Sequence, residues 1–300
     1  MKYSDRNNQP HKMLLQKETC MPTTPDIETL NRTAAELRGA IIETSCRANV
    51  PHLGSCLSCV DILTALYWGP LNDLSSRLDS RDRNHFILSK GHAAPALFQV
   101  LARKGIFSAE LLDQLAHYGE DGTIFGEHPP AHGVPGIEAA TGSLGHGLSI
   151  AIGLAMGARI IGHLNARFYV LISDGECNEG SVWEAAMMAA AQKLGNICVI
   201  IDFNKWQATG RSEEVLALQP LKDKWIAFGW HAREIDGHDI AMLLELLAEP
   251  TDRHGQPAVL IAHTVKGKGV SFMEDDNNWH YRIPKETEVI EAKRELGLTP

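Results

Sequence analysis

The chain has 300 residues, of which 44% are hydrophobic and 22% are charged, and its formal net charge is −9. This length and composition are those of a globular protein with one large domain or two small ones, and they exclude disorder over most of the chain. The negative charge argues against a nucleic-acid-binding role, which usually needs a basic face, but it allows a phosphorylated cofactor held by backbone dipoles and one metal ion.

The sequence also argues against a secreted or membrane-bound protein. Residues 1–21 lack the apolar core of a signal peptide, and no stretch approaches the ~18 uncharged apolar residues of a membrane span. The six cysteines are scattered, and we interpret Cys56 and Cys59, a lone C-x-x-C, as small apolar residues on a helix. Free thiols of this kind predict a cytoplasmic location.

The structured domain is predicted to follow a polar N-terminal arm. Residues 1–23 are polar and aperiodic, which favours a flexible arm, and residues 24–300 are expected to form the domain. Thr24 is expected to cap the first helix, with Pro25 at the first helical position. Apolar residues at helical spacing follow over 27–41.

Strand and helix patterns alternate along the rest of the chain. Predicted strands lie at 85–88, 168–173, 197–203, 232–235 and 259–264, and predicted helices at 61–67, 148–161, 183–194 and 286–295. The clearest strands are apolar on both faces, which is typical of a parallel sheet covered by helices. The alternation therefore predicts an α/β fold with a doubly wound, mostly parallel sheet flanked by helices, and ligands bind beyond the carboxyl ends of such strands.

Two polar clusters follow the two most apolar predicted strands. Asp174 and Gly175 come directly after one strand, and Asn204 and Trp206 come after the next. A carboxylate, an amide oxygen and a backbone carbonyl are hard ligands that suit Mg²⁺, and a glycine lets the backbone approach a phosphate closely. Each cluster alone would also fit an ordinary turn. Their occurrence together, each after a buried strand, predicts a site for magnesium and a phosphate group.

Asp174-Gly175 followed thirty residues later by Asn204 resembles the signature of thiamine-diphosphate enzymes, with Ser173 in place of the usual first glycine. Further motifs are similar to those of transketolases, although Leu53 and Glu127 depart from the family pattern. These motifs are His52-Leu53-Gly54, Ser89-Lys90-Gly91-His92, Gly126-Glu127-His128-Pro129, Thr141 to Gly147, Asp236-Gly237-His238-Asp239, Lys266-Gly267-Lys268-Gly269 and His280. The resemblance extends from about residue 26 to residue 283 and implies the thiamine-diphosphate-binding fold.

The resemblance also implies a role for each matched residue. Three groups of residues would share one site. The magnesium ligands would be Asp174, Asn204 and the Trp206 carbonyl, and the substrate would face His52, His128 and His280. The residues that bind thiamine diphosphate would be His92, Gly142, Leu144, Gly175, Glu179 and Lys266. Because an unperturbed histidine titrates near pH ~6.5, such side chains could move protons near neutral pH.

Full-length transketolases carry a second domain, which binds the pyrimidine ring of the cofactor and supplies an activating glutamate. The resemblance therefore implies a split enzyme, in which this chain needs a C-terminal transketolase-like subunit, with which it forms a heterotetramer. Glu179 and Glu184 match acidic residues that line the contact between paired active sites in transketolases.

The function implied is transfer of a two-carbon ketol or related acyl-anion unit between carbonyl substrates. One alternative is a 2-oxoacid-decarboxylating or acyloin-forming thiamine-diphosphate enzyme, against which the several histidines argue. A second alternative, from another class, is a non-catalytic regulatory or scaffold protein that retains the fold. The presence of both candidate magnesium ligands, Asp174 and Asn204, argues against it, because a protein without catalysis has no need to keep them.

Overall fold

A five-stranded parallel sheet forms the centre of this computed structural model, which describes residues 25–249 and 255–299. The strands are β1 (His85–Leu88), β2 (Phe168–Ser173), β3 (Ile197–Phe203), β4 (His231–Asp236) and β5 (Ala258–His263). They lie in the order β1-β2-β3-β5-β4, and all neighbouring pairs are parallel. The carboxyl ends of the strands therefore lie at one edge of the sheet.

Each central strand is apolar on both faces because the sheet is covered on both sides. In β2, Tyr169 and Leu171 pack into one core, while Phe168, Val170 and Ile172 pack into the other. This alternation follows from the two-residue repeat of a strand, and it gives the doubly wound architecture that the apolar runs predict.

Helices cover the two faces in separate groups. The helices are α1 (Ile27–Ala48), α2 (Leu53–Ser58), α3 (Val60–Trp68), α4 (Ala94–Arg103), α5 (Ala109–Ala116), α6 (Gly147–Ile160), α7 (Gly180–Ala191), α8 (Ser212–Val215), α9 (Leu221–Ala227), α10 (Ile240–Ala248) and α11 (Glu286–Glu295). Buried residues of α1 to α4 and of α10 share one core, and those of α6, α7 and α9 share the other. Within the residues described, no helix is both long and apolar enough to cross a membrane.

The start of the first helix differs from its prediction. Asp26 is the N-cap, and its carboxylate accepts hydrogen bonds from the Thr29 amide at 2.8 Å and the Thr29 hydroxyl at 3.0 Å. Pro25 therefore precedes the helix and is not its first residue, because the carboxylate of Asp26 satisfies a free amide of the first turn. Thr24 and the arm predicted over residues 1–23 lie outside the described residues.

Candidate active site

The register of β2 and β3 brings the two predicted polar clusters together. Ser173 lies beside Asp202 in the sheet, so the next residues of both strands leave the sheet at the same place. Asp174 is fully buried there, and its Oδ1 accepts a hydrogen bond from the Gly175 amide at 2.9 Å. Its Oδ2 accepts from the Lys205 amide and from the Ser212 hydroxyl, both at 2.8 Å. The Asp174 carboxylate is thus attached to the loop that contains Asn204.

The chemistry of this corner fits a divalent cation. Burial raises the pKa of Asp174 to about 6, and the negative charge of Asp202 contributes to that rise. A cation beside the carboxylate would offset both effects. The Asn204 Oδ1 faces the Trp206 amide at 3.1 Å, so both residues lie in one tight turn. Among the described residues, no three His, Cys, Asp or Glu side chains cluster as a metal site, and a mixed oxygen set is what Mg²⁺ uses.

An unpaired donor that suits a diphosphate oxygen adjoins the same corner. A Cβ atom placed on Gly175 would lie 2.9 Å from Cγ of Gln207. The Gln207 side chain thus packs against the Gly175 backbone, and its buried Nε2 has no hydrogen-bond partner. An anionic oxygen would satisfy this donor. Gln207 was not among the predicted site residues, although its position next to Trp206, in the loop that contains the candidate metal ligand Asn204, could have indicated it.

The segment from Thr141 to Gly147 contains Gly142 and Leu144, which the family resemblance places against the rings of the cofactor, and we call it the ring-binding segment. It lies against the loops that follow β1 and α5. Thr141 donates its hydroxyl to the Leu88 carbonyl at 2.6 Å. A Cβ atom on Gly142 would lie 3.0 Å from Cδ2 of His128, and one on Gly91 would lie 2.8 Å from the Gly142 amide nitrogen. Both glycines are therefore needed for the close approach of these loops. His128 is exposed at the edge of this contact.

Three of the predicted histidines form one cluster. The ring centroids of His52 and His280 are 4.9 Å apart, those of His52 and His92 are 5.5 Å apart, and those of His92 and His280 are 6.0 Å apart. Burial lowers the pKa of all three, well below the ordinary value for His92 and to about 3 for His280. In the free protein these rings are therefore neutral at physiological pH and act as hydrogen-bonding groups.

Lys266 completes the histidine cluster. Its side chain is fully buried, and its ammonium lies 2.7 Å from Oδ1 of Asn277 and 3.2 Å from Nδ1 of His280. An ammonium can only donate, so Nδ1 of His280 must accept, and the proton of this neutral ring resides on Nε2. Burial, reinforced by the positive charge of Lys90, lowers the pKa of Lys266 to about 8.

A buried ion pair that was not predicted lies next to the cluster. Lys90 pairs with Asp202, and both side chains are fully buried. Asp202 also accepts hydrogen bonds from the Ser58 hydroxyl at 2.6 Å and from Thr264. Lys90 donates a further hydrogen bond to the Ser55 carbonyl at 2.9 Å. The pair fixes the ends of β1, β3 and β5 relative to α2. Removal of either partner would leave an unpaired buried charge, which strongly destabilises a fold.

Other candidates occupy the predicted elements but lie apart from the cluster. Glu179 is exposed just before α7, beside the backbone of Gly145, and Glu184 is exposed on the same helix. Cys56 and Cys59 are buried at the end of α2, as predicted, where burial raises the pKa of each thiol to about 12.

Comparison with known proteins identifies the family. The model described as "Transketolase, thiamine diphosphate binding domain" matches residues 30–300, and the chain belongs to this family. It is 40% identical over 271 residues to an apulose-4-phosphate transketolase subunit of Phocaeicola vulgatus, covering 90% of this chain and 95% of the relative. It is 38% identical over 245 residues to the 6-deoxy-6-sulfo-D-fructose transketolase subunit SqwG of a Clostridium species, covering 82% and 88%.

A solved transketolase shares the fold. The crystal structure of transketolase from Campylobacter jejuni superimposes with a TM-score of 0.81 at 27% identity, over 92% of this chain. The chain spans only 44% of the length of that protein. The predicted fold and the predicted class of activity, a transketolase-like transferase subunit with a thiamine-diphosphate-binding domain, are confirmed.

Proposed function

We propose that this chain is the thiamine-diphosphate- and magnesium-binding subunit of a two-component transketolase, which transfers a two-carbon ketol unit between carbonyl substrates. One observation carries the proposal: the acidic corner at Asp174 and the half-buried histidine cluster lie at the same edge of the sheet. Three relatives, of which this chain covers 95%, 98% and 88%, are themselves described as transketolase subunits.

The residues of the acidic corner would hold the cofactor. Asp174, the Asn204 amide oxygen and the Trp206 carbonyl would bind Mg²⁺, while the Gly175 backbone and the orphaned Gln207 amide would bind the diphosphate. When bound, thiamine diphosphate supplies the nucleophilic carbon that takes up the ketol fragment. Gly142 and Leu144 would lie against its rings.

His52 and His280 would bind and orient the substrate, while His92 would contact the diphosphate. His280 presents a fixed Nε2–H donor because Lys266 occupies the opposite ring nitrogen. The His52 ring lies beside it, with the two ring centroids 4.9 Å apart, so these neutral rings can exchange hydrogen bonds with a polyhydroxylated chain. This abundance favours a ketose over the simple 2-oxoacid of a decarboxylase or acyloin-forming enzyme.

The partner would be a C-terminal transketolase-like subunit that supplies the pyrimidine-binding domain and an activating glutamate, in a cytoplasmic heterotetramer. An exposed apolar surface on α6 and α7 supports such an assembly: Leu154 is 39% exposed and Met187 is 52% exposed. Glu184, also exposed on α7, would lie at the contact. The cysteines within the described residues are free thiols, in keeping with the cytoplasm.

Cofactor binding tests the metal and diphosphate assignment. In the complex with the partner, Asp174→Ala should weaken thiamine-diphosphate binding in the presence of Mg²⁺ by more than tenfold, or ~1.4 kcal/mol, because a charged ligand is lost. Titration calorimetry measures the affinity, and Asp121→Ala in an exposed loop is the matched control. Unchanged affinity in the Asp174 variant would refute the assignment.

Assembly is tested separately by light scattering after size-exclusion chromatography, together with a ketol-transfer assay. The chain alone should show no transfer, and the mixture with its partner should form an α₂β₂ complex with activity. Met187→Asp should weaken this complex, since it places a charge on the apolar surface. Full activity from this polypeptide alone would contradict the two-component proposal.

A further inference from the structure

Glu176 is a fully buried carboxylate that has no part in the proposed chemistry. It lies in the short helical turn Gly175–Asn178 that follows β2, and its exposed fraction is 0%. Burial raises the pKa of this carboxyl group, which reflects the cost of placing it there. A side chain of this kind is stable only if its oxygens accept hydrogen bonds.

Donors from three separate segments satisfy this carboxylate. Its Oε1 accepts hydrogen bonds from the Ser89 hydroxyl and from the Gly145 amide, the latter at 2.8 Å. Its Oε2 accepts from the Ser173 amide at 3.3 Å. The Ser89 oxygen in turn accepts from the Gly147 amide at 3.0 Å, so the network extends to the first residue of α6.

These three segments are the ones that contain the proposed cofactor residues. Ser89 begins the loop that leads to His92, and Gly145 directly follows Leu144. Ser173 immediately precedes the metal-ligand candidate Asp174. The turn Gly175–Asn178 contains the proposed diphosphate contact Gly175, and we call it the diphosphate-binding turn. The buried side chain of Glu176 therefore connects the ring-binding segment to this turn.

The ring-binding segment has little room to adjust by itself. Gly145 has a φ of 85°, and a Cβ atom on it would lie 2.8 Å from Cβ of Glu179 and closer still to the Ser181 hydroxyl. Ser181 also donates its hydroxyl to the Gly145 carbonyl at 2.9 Å. The amide and the carbonyl of Gly145 are thus both held, and Glu176 holds the amide.

We propose that Glu176 is a positioning residue for the cofactor: its carboxylate fixes the segment around Leu144 and Gly145 at the correct distance from the diphosphate-binding turn. This inference rests on the function proposed above. It differs from a purely stabilising role, because a buried charge adds little net stability, whereas the hydrogen bonds of Glu176 join two parts of one ligand site.

Three measurements test the role in Glu176→Ala. Hydrogen exchange of the free chain should show lower protection over residues 141–147, since the Gly145 amide loses its acceptor. In the complex with the partner, affinity for thiamine diphosphate should fall by about tenfold or more, because the ring-binding segment is no longer held in place. Affinity for inorganic pyrophosphate with Mg²⁺, which reaches only the diphosphate-binding turn, should change by no more than about threefold.

Ser89→Ala gives an independent variant should Glu176→Ala fail to fold. It keeps the Glu176 carboxylate but removes the hydrogen bond from the Gly147 amide to Ser89. We therefore expect smaller losses of exchange protection over 141–147 and of affinity for thiamine diphosphate. Glu295→Ala is the matched control, because Glu295 also accepts from a serine hydroxyl and a backbone amide, both of Ser271, on the exposed surface at the end of α11. It should alter neither exchange over 141–147 nor affinity.

The outcomes separate this inference from the proposed function. If the wild-type complex does not bind thiamine diphosphate, the proposed function itself fails. If it binds, and the folded variants keep full protection over 141–147, then Glu176 does not hold this segment. Equal losses of affinity for thiamine diphosphate and for pyrophosphate would also overturn the inference, since the residue would then support the diphosphate-binding turn or the fold in general.

Discussion

Replacement of Lys266 by methionine should stabilise the free chain near neutral pH and destabilise it at alkaline pH. The lysine is fully buried, and burial lowers its pKa from 10.5 to about 8 in the folded protein. The unfolded chain therefore holds this proton more tightly than the folded chain does. The buried charge of Lys266 therefore lowers the free energy of unfolding. This penalty has its full size below pH ~8 and decreases as the pH rises toward 10.5.

The two pKa values give the magnitude. Their difference, 10.5 minus about 8, corresponds to a cost of roughly 3 kcal/mol for the charged form. Methionine removes this cost but also removes the hydrogen bonds to Asn277 and His280, each worth ~1 kcal/mol. The variant should thus be more stable than wild type by about 1 kcal/mol near pH 7, and less stable by about 2 kcal/mol near pH 10.5, where the folded-state lysine is neutral.

Urea unfolding at both pH values, followed by tryptophan fluorescence, measures this difference. Lys268→Met is the matched control, because Lys268 is two residues away, partly exposed and paired with Glu274 at 3.2 Å. Its effect should be small and nearly the same at both pH values, as for other exposed ion pairs. A stability difference between wild type and Lys266→Met that does not change with pH would refute the reasoning.

Three further substitutions test the site and its support. His128→Ala should lower turnover by ~10² to 10⁴ while cofactor affinity, measured by calorimetry, stays near wild type; loss of cofactor binding would show that His128 does not face the substrate. Gly91→Ala should weaken thiamine-diphosphate binding, because its Cβ would lie 2.8 Å from the Gly142 amide nitrogen; an unchanged dissociation constant would contradict this. Arg38→Met should lower the free energy of unfolding by about 3–5 kcal/mol, because buried Asp61 loses a bidentate partner; Arg38→Met with Asp61→Leu should recover part of the loss in urea unfolding.

The sheet could be predicted closely from sequence because its strands are buried on both faces. The apolar runs at 168–173 and 197–203 coincide with β2 and β3, and the two later strands differ from their predictions by one residue at each end. The first helix was less predictable, since Thr24, Pro25 and Asp26 are all compatible with a helix start. The choice of Asp26 depends on its carboxylate contacts with Thr29, which composition does not reveal.

Local sequence patterns predicted the site only where its residues adjoin strand ends, and the histidines and Lys266 were identified from the family resemblance. Asp174 and Asn204 follow neighbouring apolar strands, so their proximity follows from parallel pairing. The link between Ser89 and Glu176 joins residues 87 positions apart, and the pair of Lys90 and Asp202 joins residues 112 positions apart. No local pattern specifies such contacts, because they depend on how several loops meet at one edge of the sheet.

The buried surroundings of the histidine cluster change what its rings can do. A free histidine titrates near pH ~6.5, but burial lowers the pKa of His280 to about 3, and that of His92 falls well below its usual range. Lys266 has a pKa of about 8 and therefore holds its proton far more readily than His280 does. Because a nearby negative charge raises the pKa of a base, an anionic cofactor beside this cluster would raise the pKa values of the histidines and of Lys266 together. We therefore expect these rings to take up a proton more readily when an anionic cofactor is bound beside them.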